Sequence, residues 1–235
     1  MATPTYPEDS LQSLVGTWWT NRDSSDISRG QLLWAFVPHL DQEPLLLVSE
    51  GRTSPTDHTR ALYTIEPLKT NSPPRQPILP VAALPNFPGE VRTVHRAKQR
   101  PAVVISVGGS HVPRPLRTGG ARWQTSPTML IAPYYGIDRS GTRGGWKPEF
   151  VQRIRRCEYP QYMWDRLPLG RTDESILRLD HLQPIGTHPN AYEITPYCLS
   201  DEAMKILDEW LLWLLTGNLD ATGVLLDVRQ GLIDL

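Results

Sequence analysis

The chain has 235 residues, of which 39% are hydrophobic and eight are tryptophan. That is enough apolar material for one substantial core. Its 23 prolines and 17 glycines argue against a long-helix architecture and for short strands joined by many loops. No run of about 18 apolar residues is present to span a bilayer, and the first residues lack the basic-then-apolar pattern of a leader, so a cytoplasmic location is expected.

The two cysteines, Cys157 and Cys198, form no C-x-x-C pair and give no support to a disulfide framework or a zinc site. A net charge of -1 conceals a strong asymmetry along the chain. Residues 1–90 hold six Lys/Arg against ten Asp/Glu, residues 91–178 hold sixteen against six, and residues 179–235 hold two against nine. Clustered Arg and Lys displace counterions condensed on phosphates, so the basic middle suits a polyanion. A basic face neutralised by the acidic tail is the competing account.

Taken in chain order, residues 7–15 suggest a short helix ended by Gly16 and followed by the paired Trp18-Trp19. Ser28-Arg29-Gly30 reads as a turn feeding a strand through Phe36. Residues 44–48 and 59–65 read as two strands of a hairpin, with turn residues at 51–58 between them. Seven prolines in the 22 residues from Pro67 to Pro88 exclude helix and central strand there and imply an extended arm.

Arg100-Pro101 then leads into Ala102-Val103-Val104-Ile105. Stiff branched side chains suit a buried strand, and Pro101, lacking an N–H, suits its start, which places Arg100 at a strand mouth. Residues 129–133 read as a second buried strand and residues 175–181 as a third. Between them, residues 139–173 open with glycine and continue into a short helix carrying Phe150, Ile154, Arg153 and Arg156. Tyr159, Tyr162 and Trp164 follow. Such aromatics can stack unpaired bases, or can pin a loop to the body of the protein. The clearest helix comes last. Ser200 is its N-cap, Gly217 its stop, and Met204, Leu207, Leu211 and Leu214 form an apolar stripe widened by Trp210 and Trp213.

The strand beginning Arg29-Gly30, the Arg100-Pro101-Ala102-Val103-Val104 strand, the strand ending at Pro133, the Arg178-Leu179-Asp180 element and the final helix occur in an order that resembles the PemK/MazF family of toxin endoribonucleases. The resemblance implies a mainly β fold, an SH3-like small barrel with an inserted hairpin, loops and a C-terminal helix. It implies a single domain over 1–235, with a core at about 28–38, 95–138 and 174–217 and insertions at about 39–94 and 139–173. It further implies metal-independent cleavage of single-stranded RNA without a cofactor, an antitoxin partner and a homodimer, with no membrane association.

Cleaving RNA without a metal needs a base for the 2′-OH proton, an acid for the leaving 5′-oxygen and cations for the scissile phosphate. By resemblance, Asp180 assisted by Arg178 is the base, Arg178 or His95 the acid, and Arg100 the phosphate holder. The chain departs from the family twice. Tyr135 stands where the family has a threonine, and His181 stands where it has a glutamine. Arg29, Arg96, Lys98, Tyr135, Arg139, Arg143, Arg153, Arg156 and His181 complete the expected RNA-binding set. Two strand residues two apart share a face, so Arg178 and Asp180 are expected side by side. The alternative is an inactive module of the same fold that binds nucleic acid or protein. A gyrase-directed poison on a related barrel is a third reading.

Overall fold

The computed structural model describes residues 4–23, 25–52, 54–57, 59–69, 71, 89–120, 125–138, 145–170 and 174–233. The chain divides into two compact units, one of residues 1–36 with 99–235 and one of residues 37–98. The second nearly coincides with the segment 39–94 that the sequence sets apart as an insertion. It carries the short sheet β4-β3-β5, built from β3 (Leu45–Gly51), β4 (Leu62–Pro67) and β5 (Thr93–Val94). The proline-rich stretch falls almost entirely outside the described residues.

The protein is mainly β. Its principal sheet has eight strands and is an antiparallel half-barrel. The strands are β1 (Trp19–Asn21), β2 (Gln31–Pro38), β6 (Ala97–Ser106), β7 (Thr128–Gly136), β8 (Tyr162–Arg166), β9 (Glu174–Arg178), β10 (Gln183–Gly186) and β11 (Tyr192–Leu199). They run in the order β1-β11-β2-β6-β7-β9-β8, with β10 also paired to β7. The described helices are α1 (Leu11–Leu14), α2 (Arg114–Arg117), α3 (Pro148–Arg155), α4 (Asp201–Thr216) and α5 (Val224–Ile233).

Alternation along the central strands sends neighbouring residues to opposite faces. Leu32 and Val103 join a large core with Trp18, Tyr134, Met163 and Leu177, roofed by Ala203, Ile206, Leu207 and Trp210 of the helix α4 (Asp201–Thr216). Leu33, Ala35, Ala102, Val104, Met129 and Ile131 pack on the other face. Both faces are therefore covered, which is why these strands read as continuous apolar runs rather than alternating ones. A third cluster places Val151 and Ile154 of a short helix, Pro148–Arg155, on Trp164 and Ile176.

The last long helix has the caps its sequence suggests: the Ser200 Oγ accepts from the Ala203 N–H at 3.1 Å, and Gly217 adopts φ 75° and donates to the Trp213 carbonyl at 2.8 Å. Its buried face differs from the expected stripe. Ala203, Ile206, Leu207, Trp210 and Trp213 are buried, whereas Met204, Leu211 and Leu214 sit at the margin. The two large indoles rotate the helix toward themselves because they bring the most apolar area.

Two expectations are corrected by the sheet. Residues 139–173 are not merely an inserted loop, because they contain β8, an edge strand of the principal sheet. Met163, Trp164 and Asp165 are all buried there, so no alternation announces the strand. Residues 175–181 are not one strand either. β9 stops at Arg178, and Leu179–His181 forms a 3-10 turn before β10 begins. Between the pairs Tyr134↔Leu177 and Ile131↔Gln183 the β9-to-β10 run uses three more residues than β7 does. Those extra residues bulge out of the ladder. Pro133, which has no N–H to give a ladder, lies opposite the bulge.

Candidate functional site

The bulge builds a patch rich in charged, imidazole and phenol side chains. Arg178 ends β9, Asp180 and His181 sit on the turn, Tyr135 lies near the end of β7, Tyr162 faces Arg178 across the β8–β9 pair, and Arg100 belongs to β6. The Arg178 guanidinium donates from Nε and Nη2 to the two Asp180 carboxylate oxygens, both at 2.7 Å. Side-chain exposures of 17% and 31% place this pair well short of full hydration, and its two-pronged geometry adds strength a simple surface ion pair lacks. Arg178 Nη2 also lies 2.6 Å from His181 Nε2, and His181 Nδ1 lies 2.9 Å from the Tyr135 hydroxyl.

A guanidinium only donates, so His181 Nε2 must be the acceptor. The ring proton of this neutral imidazole therefore sits on Nδ1 and points at the Tyr135 oxygen. Arg100 stacks its guanidinium over the Tyr135 ring, 3.9 Å from the centroid. Arg178 lies 5.6 Å from the same centroid and 5.0 Å from that of Tyr162. Burial works against the Arg178 charge, but the hydrogen bonds and charge of Asp180, with Tyr162 and Tyr135 nearby, outweigh it and raise the group's pKa further. Arg178 is thus a fixed cation suited to stabilising charge and unsuited to giving up a proton.

Of the expected site residues, Arg100, Tyr135, Arg178, Asp180 and His181 are brought together in the larger unit. Asp180 arrives there by a turn rather than by strand alternation, which corrects the expected route. His95, Arg96 and Lys98 belong to the smaller unit, where His95 Nε2 lies 3.2 Å from the Thr93 hydroxyl and the Arg96 carbonyl accepts from the His39 N–H. Arg29 is tied down: it donates to the Ile105 carbonyl at 2.8 Å and pairs with Asp208 on α4. Arg153 pairs with Glu158 at 2.7 Å and lies over the Tyr159 ring, while Arg156 is half-buried. Arg139 and Arg143 lie outside the described residues.

The aromatics of the basic segment mostly engage one another. Trp146 stacks on Phe150 at 5.6 Å, Tyr162 meets Phe150 and Tyr159 edge to face, and Phe150 and Tyr159 are tilted against each other at 5.3 Å. This pins the Pro148–Arg155 helix to β8. Tyr162 alone also reaches the patch. The sequence marks it only as one of three aromatics able to stack bases or pin a loop; its place in the patch comes from lying opposite Arg178, in a register that the sequence does not display.

Two buried groups lie apart from the patch. The Asp165 carboxylate, wholly buried, accepts from the Trp18 and Trp19 indoles at 3.2 and 3.5 Å and from the Tyr134 hydroxyl at 3.1 Å. Burial raises its pKa from 3.8 to about 7, against the pull of those hydrogen bonds. Cys157 is held at φ 58° with its thiol pushed up to about 12 by burial, which suits packing rather than nucleophilic attack. Elsewhere His111, Arg114 and Arg117 line a cavity of about 470 Å³ with Thr118, Thr125 and Ser126, and none of its described lining residues is acidic.

Among the described residues no group of three or more His, Cys, Asp or Glu side chains is placed to hold a metal ion, and no helix is long and apolar enough to cross a membrane. Fold and patch together define a mainly β protein that gathers two arginines, a carboxylate, an imidazole and two phenols from β6, β7, β8, β9 and the turn after β9. No protein-family model, curated protein or solved structure matches the chain.

Proposed function

We propose that this protein is a metal-independent endoribonuclease acting on single-stranded RNA. The observation that carries the reading is the convergence of Arg178, Asp180 and His181 on the β9–β10 bulge with Tyr135 and the Arg100 guanidinium stacked on it. Arg100 and Arg178 hold the scissile phosphate and offset the charge that builds on it. Asp180 takes the 2′-OH proton, and the 2′-oxygen then attacks phosphorus. With the motif order that resembles PemK/MazF, the proposal extends to an SH3-like barrel, a cytoplasmic toxin, an antitoxin that restrains it and a homodimer.

One observation favours a second reading, a module that grips RNA without cutting it. Both Asp180 oxygens already accept from Arg178, so a base at this position must first give up part of that pairing. Incubation with mixed single-stranded RNA in EDTA separates the two. Cleavage leaving 2′,3′-cyclic phosphate ends, abolished in Asp180→Asn with affinity equal or slightly raised, supports the enzyme. Binding without such ends selects the module, and neither binding nor cleavage removes both.

A further inference from the structure

Resting on the ribonuclease reading, we propose that Tyr135 is the acid that protonates the leaving 5′-oxygen and that His181 is the residue that positions it. An arginine held as a fixed cation by Asp180 is a poor proton donor at neutral pH. Among the described residues of the patch, the phenol in contact with both His181 and Arg100 is that of Tyr135. Its oxygen lies 2.9 Å from His181 Nδ1, and its ring lies beneath the Arg100 guanidinium.

The donor and acceptor assignment makes this arrangement directional. Arg178 occupies the Nε2 lone pair, which forces the ring proton onto Nδ1, where it donates to the phenol oxygen. A hydrogen bond donated to that oxygen stabilises the phenolate that proton transfer leaves behind, and the Arg100 cation over the ring does the same. In the balanced step the 2′-oxygen bonds to phosphorus as its proton passes to Asp180. The bond from phosphorus to the 5′-oxygen breaks, and the Tyr135 proton passes to that oxygen. A 2′,3′-cyclic phosphate and a 5′-hydroxyl result. Water then returns a proton to Tyr135 and removes one from Asp180. His181 gives up no proton and acts through Tyr135 alone.

The test compares single-turnover cleavage of one RNA carrying either the ordinary 5′-oxygen or a bridging 5′-sulfur at the mapped site, because a thiolate departs without protonation. Tyr135→Phe, which keeps the ring beneath Arg100, is expected to slow the oxygen substrate by about 100-fold or more while leaving the sulfur substrate within a few-fold. Asp180→Asn slows both. His181→Ala follows Tyr135→Phe, and His181→Gln restores most of the rate, since an amide can accept from Arg178 and donate to Tyr135. Equal slowing of both substrates by Tyr135→Phe overturns the acid assignment while leaving the ribonuclease reading intact. Wild-type protein that cuts neither substrate overturns both. Nitrogen-15 NMR of the ligand-free protein tests the positioning role without activity: a neutral Nδ1–H imidazole at His181 is expected, and an Nε2–H tautomer refutes the role.

Discussion

Arg178 and Asp165 show how differently one charged side chain can be accommodated. Arg178 is mostly covered but meets a carboxylate in a two-pronged pair, whereas Asp165 is sealed among indoles and a phenol that donate hydrogen bonds but bring no full positive charge. Asp165 therefore holds its proton to about pH 7. Because the folded state binds that proton more tightly than the unfolded chain, its contribution to stability is fully present below about pH 4 and is lost as pH rises through 7. The slope is ~1.4 kcal/mol per pH unit at most. Urea unfolding from pH 4 to 8 should show this decline in the wild type relative to Asp165→Asn; parallel curves would refute it. On the ribonuclease reading proposed above, Arg100→Ala should weaken RNA affinity and cleavage together, since a phosphate contact serves the ground state as well as the transition state. Loss of cleavage with unchanged affinity in that variant would mean that Arg100 does not hold the phosphate.

Elements here are defined by their ends. The α4 cap spares an N–H that would otherwise be orphaned at a buried helix start, and Ser200→Ala should cost about 1 kcal/mol in chemical denaturation, with Ser200→Asp costing little. Gly30 closes the turn just before β2 at φ 82°, and a Cβ there would meet the Met204 sulfur at 2.7 Å. Gly30→Ala should therefore destabilise by ~1–3 kcal/mol, from left-handed strain combined with crowding against α4. An unfolding midpoint unchanged from wild type would contradict that account. The bulge after β9 belongs to the same scale. It presents Asp180 and His181 beside Arg178, an arrangement that an unbroken strand would replace by strict alternation between two faces.

At the scale of the whole molecule, charge is segregated along the chain, and RNA affinity should fall steeply with added salt if the basic middle segment supplies phosphate contacts. A salt-independent affinity would place the binding energy in stacking or hydrogen bonds instead. Sequence alone determines much of the frame: branched runs at Val103–Ile105 and the apolar stretch around Ile131 dictate buried strands, and Ser200 with Gly217 bounds α4. These signals are local, because propensity, capping and burial act on neighbouring residues. Arg100, Arg178, Asp180, Tyr135 and His181 could each be singled out from motif order. Their sharing one site was expected through the family resemblance, but the contacts within it could not be read, because they depend on strand register. Tertiary structure decided that three extra residues leave the ladder opposite Pro133, that β8 joins the sheet beside β9, and that Tyr162 faces Arg178. Pairing between strands is fixed by long-range packing, and nothing in a single run of residues records which partner it will meet.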